Sequence, residues 1–246
     1  MKKLTLFFGL LVLAASITLA FAQPQSKQVL MVVTSADQMT DGKPTGLWLE
    51  EFAVPYLMFK EAGFNVKVAS PKGGKAPVDA RSLKEGTHVF EWARAIIELE
   101  TTIKLDQVGM QGYDAIFLPG GHGTMFDFPN NPDLTRLLNG FVKEDKVIAA
   151  VCHGPAGLVG AKKVDGTPLV NGKTVTAFTD AEEVAVELDM VMPFMLETRL
   201  REQGAKFVEG KKWTANVQVD GKLITGQNPA SSKAAAEAVI QLLAGE

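Results

Sequence analysis

The chain has 246 residues, carries 25 Lys and Arg against 28 Asp and Glu for a formal net charge of −3, and contains one cysteine. A mildly acidic chain without basic clusters excludes nucleic acid as the main partner. One cysteine excludes an internal disulfide framework, so stability must come from a buried core.

The first residues, Met1-Lys2-Lys3, precede an apolar stretch over 4–20 and a small-x-small site, Ala20-Phe21-Ala22, before Gln23. This is the form of a secretory signal peptide cleaved near Ala22. It leads to the expectation of an exported protein, periplasmic or secreted, with residues 23–246 as a single domain. The apolar part approaches spanning length, so an uncleaved membrane anchor is the rival reading. No cysteine follows the site, which argues against a lipid-modified N-terminus.

Residues 28–34 (QVLMVVT) form a nearly continuous apolar run, as in a strand buried on both faces of a parallel sheet. Residues 47–62 carry apolar positions at helical spacing and end at Gly63, a C-cap. Strand character resumes over 64–70, which completes a βαβ unit with a right-handed crossover. Gly, Lys and Pro mark 71–77 as a loop, and 91–105 is predicted as a helix with mixed faces. The pattern is weakest between Pro71 and Leu105, and this stretch is expected to close the pocket and carry specificity.

Residues 113–119 (YDAIFLP) read as another buried strand, closed by Gly120-Gly121-His122-Gly123. An amphipathic helix is predicted over 131–144, with Asn130 or Asn131 as N-cap, and a strand over 146–151. Further on, the pattern gives a strand over 173–178 and a helix over 182–203 that Pro193 should kink or restart. Two short strands around 213–219 and 223–225 precede an Ala-rich helix over 230–244. Alternating strands and helices indicate an α/β fold, a three-layer sandwich around a mostly parallel central sheet of the flavodoxin-like type.

The strand over 146–151 delivers Cys152, followed by His153-Gly154-Pro155 and small residues that begin a predicted helix. A thiol at a helix N-terminus is favoured as thiolate by unpaired N–H groups and the macrodipole, which makes Cys152 a candidate nucleophile. His153 could serve as its proton shuttle. An isolated Cys-His pair is equally a small buried thiol beside a solvent-facing imidazole. The glycine loop at the end of a neighbouring strand adds weight, because sites in open α/β sheets form beyond the carboxyl ends of strands. Backbone N–H groups of Gly121 and His153 are the candidate oxyanion hole. A zinc site from Cys152, His122 and a carboxylate matches no closed structural spacing, and His88 has no partner motif.

Residues 45–51 (TGLWLEE), 118–123 (LPGGHG), 151–155 (VCHGP) and 178–183 (FTDAEE), in this order, resemble the ThiJ/PfpI superfamily. They are most similar to its branch of heat-shock chaperones and glyoxalase III enzymes, related to class I glutamine amidotransferase domains. The resemblance implies that Cys152 is the elbow nucleophile, His153 the adjacent base and Glu183 the acid that orients the imidazole, with Glu182 the alternative if the register slips by one. It implies that Glu51 hydrogen-bonds the sulfur, whereas Glu50, about 100° away on the helix, faces elsewhere. A buried Glu51 beside a thiolate should have a raised pKa and donate from its protonated carboxyl. Gly120, Gly121 and His122 would line the oxyanion and substrate site.

The activity so implied is a cofactor-independent conversion of a small dicarbonyl such as methylglyoxal into a hydroxy acid such as lactate, with no metal. The partner is then a small carbonyl substrate, not nucleic acid and, after cleavage, not a membrane; homodimerisation stays open. The alternatives are a holding chaperone or protein deglycase, and a cysteine peptidase or amidase of the same superfamily.

Overall fold

The computed structural model describes residues 26–83 and 88–245; the leader expected over 1–22 lies outside them. In chain order the elements are β1 (Gln28–Val32), α1 (Leu49–Glu61), β2 (Asn65–Ser70), α2 (Ala93–Ile96), β3 (Ile103–Lys104), β4 (Ala115–Leu118), α3 (Thr124–Asp127), α4 (Pro132–Lys143) and β5 (Val147–Val151). They continue with β6 (Thr174–Val175), α5 (Asp180–Ala185), α6 (Leu196–Glu202), β7 (Lys206–Phe207), β8 (Val217–Asp220), β9 (Leu223–Gly226) and α7 (Ser232–Ala244).

Seven strands form the central sheet in the order β3-β2-β1-β4-β5-β9-β8. All pair in parallel except β8, which runs antiparallel to β9 at one edge. Successive residues of a strand point to opposite faces, and the central strands are apolar at both parities. Leu30, Val32, Ile116, Leu118, Ile148 and Ala150 pack with Leu134, Leu138 and Phe141 of α4 on one face. Val29, Met31, Phe117, Ala149 and Val151 pack with Phe52 and Phe59 of α1 and Val239 of α7 on the other. The result is the expected three-layer α/β sandwich.

The helix at 132–143 is capped by the side chain of Asn131, which accepts from the backbone N–H groups of Asp133 and Leu134 (both 3.1 Å). Four expectations are corrected. The helix predicted over 91–105 is one turn of α-helix, a 3₁₀ turn (Ile97–Glu100) and the edge strand β3. Thr102 ends the helical pattern: its backbone exchanges hydrogen bonds with Gly74, and its hydroxyl lies 2.7 Å from that of Ser70. The helix predicted over 182–203 is helical only towards its two ends, α5 and α6: α5 stops at Ala185, residues 186–195 are turns and bends, and the helix restarts after Pro193, as allowed for. The strand expected over 173–178 is only Thr174–Val175, and it pairs with β7 in a separate two-stranded sheet. The segment after Cys152 is a five-residue 3₁₀ helix (Gly154–Leu158), not an α-helix.

Candidate active site

The buried strand β5 ends at Val151, and the next residue turns sharply: Cys152 has φ +59°. This left-handed conformation costs a residue with a Cβ roughly 1–2 kcal/mol, and the fold enforces it from both sides. Cys152 N–H donates to the Gly226 carbonyl of β9, and its own carbonyl accepts from Phe178 N–H (both 2.9 Å). The turn sets Cys152 Sγ 3.3 Å from His153 Nδ1, so the two neighbours converge.

The loop after β4 reaches this elbow because it lacks side chains. A Cβ on Gly120 would lie 2.6 Å from His153 N. Gly121 has φ +97°, and a Cβ there would overlap the Gly46 carbonyl oxygen and Trp48 N. Gly120 N–H donates to Glu51 Oε2 (2.7 Å), so this N–H is taken up by a carboxyl and is not free for the substrate site that Gly120 was expected to line. Its part is to hold the carboxyl delivered by α1. Gly121 lines the pocket beside the elbow.

The other ring nitrogen of His153 meets Glu183 and not Glu182. His153 Nε2 lies 2.7 Å from Glu183 Oε2, and His122 Nε2 lies 3.0 Å from Glu183 Oε1. One carboxylate thus serves two imidazoles, whose ring centroids are 4.1 Å apart. Glu182 is also buried but turned elsewhere. Its Oε2 accepts from Thr179 N–H in a capping box at the start of α5, and its Oε1 accepts from Trp213 N–H (2.9 Å) and Asn228 Nδ2 (2.8 Å).

Electrostatics divide the carboxyls. Burial, opposed by the Gly120 N–H, pushes Glu51 up to about 8, as a protonated donor beside sulfur requires. Its Oε1 has no partner at hydrogen-bonding distance, yet the carboxyl and the Cys152 sulfur are close enough to shift each other's titration. Burial also pushes the Cys152 thiol up, reinforced by the negative charge of an ionised Glu51 and eased by His153 N–H. The expected lowering by a helix dipole is therefore corrected: the short 3₁₀ segment does not outweigh burial, and the resting sulfur is a thiol. Glu183 is the opposite case. Burial alone would raise it, but His153 and His122 together hold it well below the usual carboxylate range.

Among the described residues, His122, His153 and Glu183 are the group whose ligand-type atoms converge, within 4.8 Å. They meet as hydrogen-bond partners, with Cys152 outside the group, so the set Cys152, His122 and a carboxylate is not assembled. His88 is exposed and pairs with Glu91 (3.1 Å), outside this cluster.

The elbow opens into a cavity of about 440 Å³ walled by Trp48, Phe178, Trp213 and Val186, with Arg81 as its cation. Arg81, Asp79 and Trp213 were not anticipated from the sequence. Arg81 and Asp79 belong to the weakly patterned 71–105 stretch, where the spacing Asp-x-Arg was the available signal. A second cavity of about 490 Å³ at the other end of β5 and β9 is lined by Lys and Asp residues together with Val142, Ile148, Leu169 and Leu223, and by no thiol or imidazole.

The chain has clear relatives among known proteins. The DJ-1/PfpI family pattern matches residues 44–242. The glutathione-independent glyoxalase hsp3102 of Schizosaccharomyces pombe is 33% identical over 238 residues, covering 89% of this chain and 98% of its own. The structure of glyoxalase III from Candida albicans superimposes with a TM-score of 0.79 at 30% identity over 87% of this chain and 96% of that one. The Rapid Encystment Protein 24 kDa of Francisella tularensis gives 0.84 at 37% identity over 88% and 99%. The expected exported location is corrected: over most of its length the chain matches glutathione-independent glyoxalases of the Hsp31 type, and the leader on which that expectation rested lies outside the described residues. With the pattern spanning most of the sequence, and the nucleophile elbow, glycine loop and paired carboxyls in place around one pocket, the chain belongs to the DJ-1/PfpI family.

Proposed function

We propose that the protein is a glutathione-independent glyoxalase that converts a 2-oxoaldehyde into a 2-hydroxy acid at Cys152. The observation that carries this reading is the continuous chain of contacts from Cys152 Sγ to His153 Nδ1 (3.3 Å) and from His153 Nε2 to Glu183 Oε2 (2.7 Å) at the floor of a mostly apolar pocket.

His153 takes the thiol proton on Nδ1 while Glu183 holds Nε2–H, and the sulfur adds to the aldehyde carbon to give a hemithioacetal. The proton bound to that carbon is removed, and the electron pair passes to the neighbouring ketone, forming an enediol. Reprotonation at the former ketone carbon yields a 2-hydroxyacyl thioester. Water cleaves its C–S bond, releasing the acid and restoring the thiol. The aldehyde carbon is oxidised and the ketone carbon reduced within one molecule, so electrons balance without a cofactor. Protonated Glu51 donates towards sulfur whenever negative charge develops there. The N–H groups of Gly121 and His153 serve the developing oxyanion.

Incubation of the purified protein with methylglyoxal in the absence of glutathione should produce lactate, and Cys152→Ala should abolish it while leaving the thermal transition of a folded domain. Undiminished dicarbonyl consumption by Cys152→Ala, or hydrolysis of glutamine or a peptide in place of methylglyoxal, overturns the reading.

A further inference from the structure

We infer that Arg81 is a positioning residue that fixes the ring proton of His122, making His122 a dedicated second N–H donor to Glu183 opposite His153. This rests on the Cys152–His153–Glu183 reading above.

A guanidinium has only donors. Arg81 Nη2 lies 3.2 Å from His122 Nδ1, so that ring nitrogen must present its lone pair. The neutral ring then carries its proton on Nε2, 3.0 Å from Glu183 Oε1, where a carboxylate can only accept. The other tautomer would oppose N–H to N–H at Arg81 and a lone pair to a carboxylate oxygen at Glu183. Arg81 is itself held in place: its Nε donates to Asp79 Oδ1 (3.0 Å), its Nη2 to Asp79 Oδ2 (2.5 Å), and Thr45 Oγ1 donates to that same Oδ2 (3.2 Å). The charged and titratable groups around His122 are therefore Glu183 from α5, His153 from the elbow, and Arg81 with Asp79 from the 3₁₀ turn (Ala80–Leu83) and the residue before it.

Two consequences follow for the reaction. With one imidazole N–H on each oxygen, the Glu183 carboxylate cannot rotate without losing a bond, and this fixes the plane in which His153 receives the thiol proton. Burial, the neighbouring His153 and Arg81 also keep His122 uncharged, lowering it to about 4 against the pull of Glu183. The cation formed during turnover is thus confined to His153, the ring that touches sulfur.

The test is nitrogen NMR of the full-length protein with ¹⁵N-labelled imidazoles. The chain has three histidines, and His122→Gln assigns the resonances of His122 by their loss. The wild type should show His122 with a bare Nδ1 and a protonated Nε2 throughout neutral pH; a protonated Nδ1 overturns the inference with no variant needed. Arg81→Met should replace this pattern by mixed tautomers and move the titration of His122 upward, and an unchanged pattern overturns it. Glutamine at position 122 can accept from Arg81 and donate to Glu183, whereas leucine can do neither. Turnover should accordingly fall in His122→Leu and recover in part in His122→Gln, and equal losses overturn the role. The NMR readout needs no substrate, so failure of dicarbonyl turnover would sink the functional reading and leave the tautomer result standing.

Discussion

Glu182 and Glu183 are adjacent and both buried, yet they hold different parts of the molecule together: Glu183 spans the His122 and His153 rings, and Glu182 ties the Trp213 and Asn228 segments to the start of α5. One turn of helix thus holds the two imidazoles with one carboxylate and the pocket wall with the next.

Substituting these two residues should separate those tasks. In Glu183→Gln the amide NH₂ opposes one of the two imidazole N–H groups, and kcat should fall by roughly 10²–10⁴-fold, as when a triad acid is neutralised, with the fold retained. Glu182→Gln should instead lower unfolding free energy by about 1–3 kcal/mol through buried donors left without acceptors, and raise KM as the Trp213 segment loosens. Denaturant unfolding beside steady-state kinetics checks both; equal kcat losses in the two variants would contradict the division.

Glu51 should leave a signature in pH. Its folded value of about 8 lies above the ordinary carboxylate value, so the native state retains a proton that the unfolded chain releases near pH 4.5. Its contribution is fully present below that pH and is lost as pH rises through about 8, at up to about 1.4 kcal/mol per pH unit. Glu51→Gln, which still accepts from Gly120 N–H and donates to sulfur, should flatten the stability profile across that window. It should also let the rate of Cys152 alkylation keep rising above pH 8, where the wild type is slowed by an ionised Glu51.

Trp213 combines a pocket wall with a positive φ of +61°. Trp213→Ala removes the ring that packs 5.7 Å from Phe178 and keeps the strain, and Trp213→Gly removes both. KM should rise in each. The glycine variant should be the more stable of the two by about 1 kcal/mol in thermal or chemical denaturation.

At Gly121 the backbone has φ +97°, and a Cβ would meet Gly46 and Trp48. Gly121→Ala should cost about 1–3 kcal/mol and displace Trp48 from the pocket, so that activity falls together with stability. An alanine variant with normal turnover and an unshifted unfolding midpoint would refute this account of the loop.

The central strands were legible because burial on both faces writes an unbroken apolar run, as in the AIFL of β4 and the VIAAV of β5. Cys152, His153, Glu51 and Glu183 were legible through four short motifs in a fixed order. The choice between Glu182 and Glu183 was also written locally, in Thr179-x-x-Glu182, a capping box that commits Glu182 to the helix start. Arg81 was legible only as a partner for Asp79 two residues before it: nothing near it in sequence states that His122, 41 residues later, needs a donor. The resting protonation of Cys152 was misread because the sequence shows the strand-to-turn junction but not how fully Glu51 and the sheet seal it.

The groups around Cys152 come from stretches far apart in the chain: Glu51 from α1, His122 from the loop after β4 and Glu183 from α5. A chain that has not yet docked all of them exposes an ordinary free cysteine, whereas the complete fold confines that sulfur to the floor of a pocket beside a protonated carboxyl, where a labelling reagent reaches it more slowly. The sole thiol is therefore a built-in clock for assembly, and pulse labelling during refolding would time the moment at which the last of these segments closes over it.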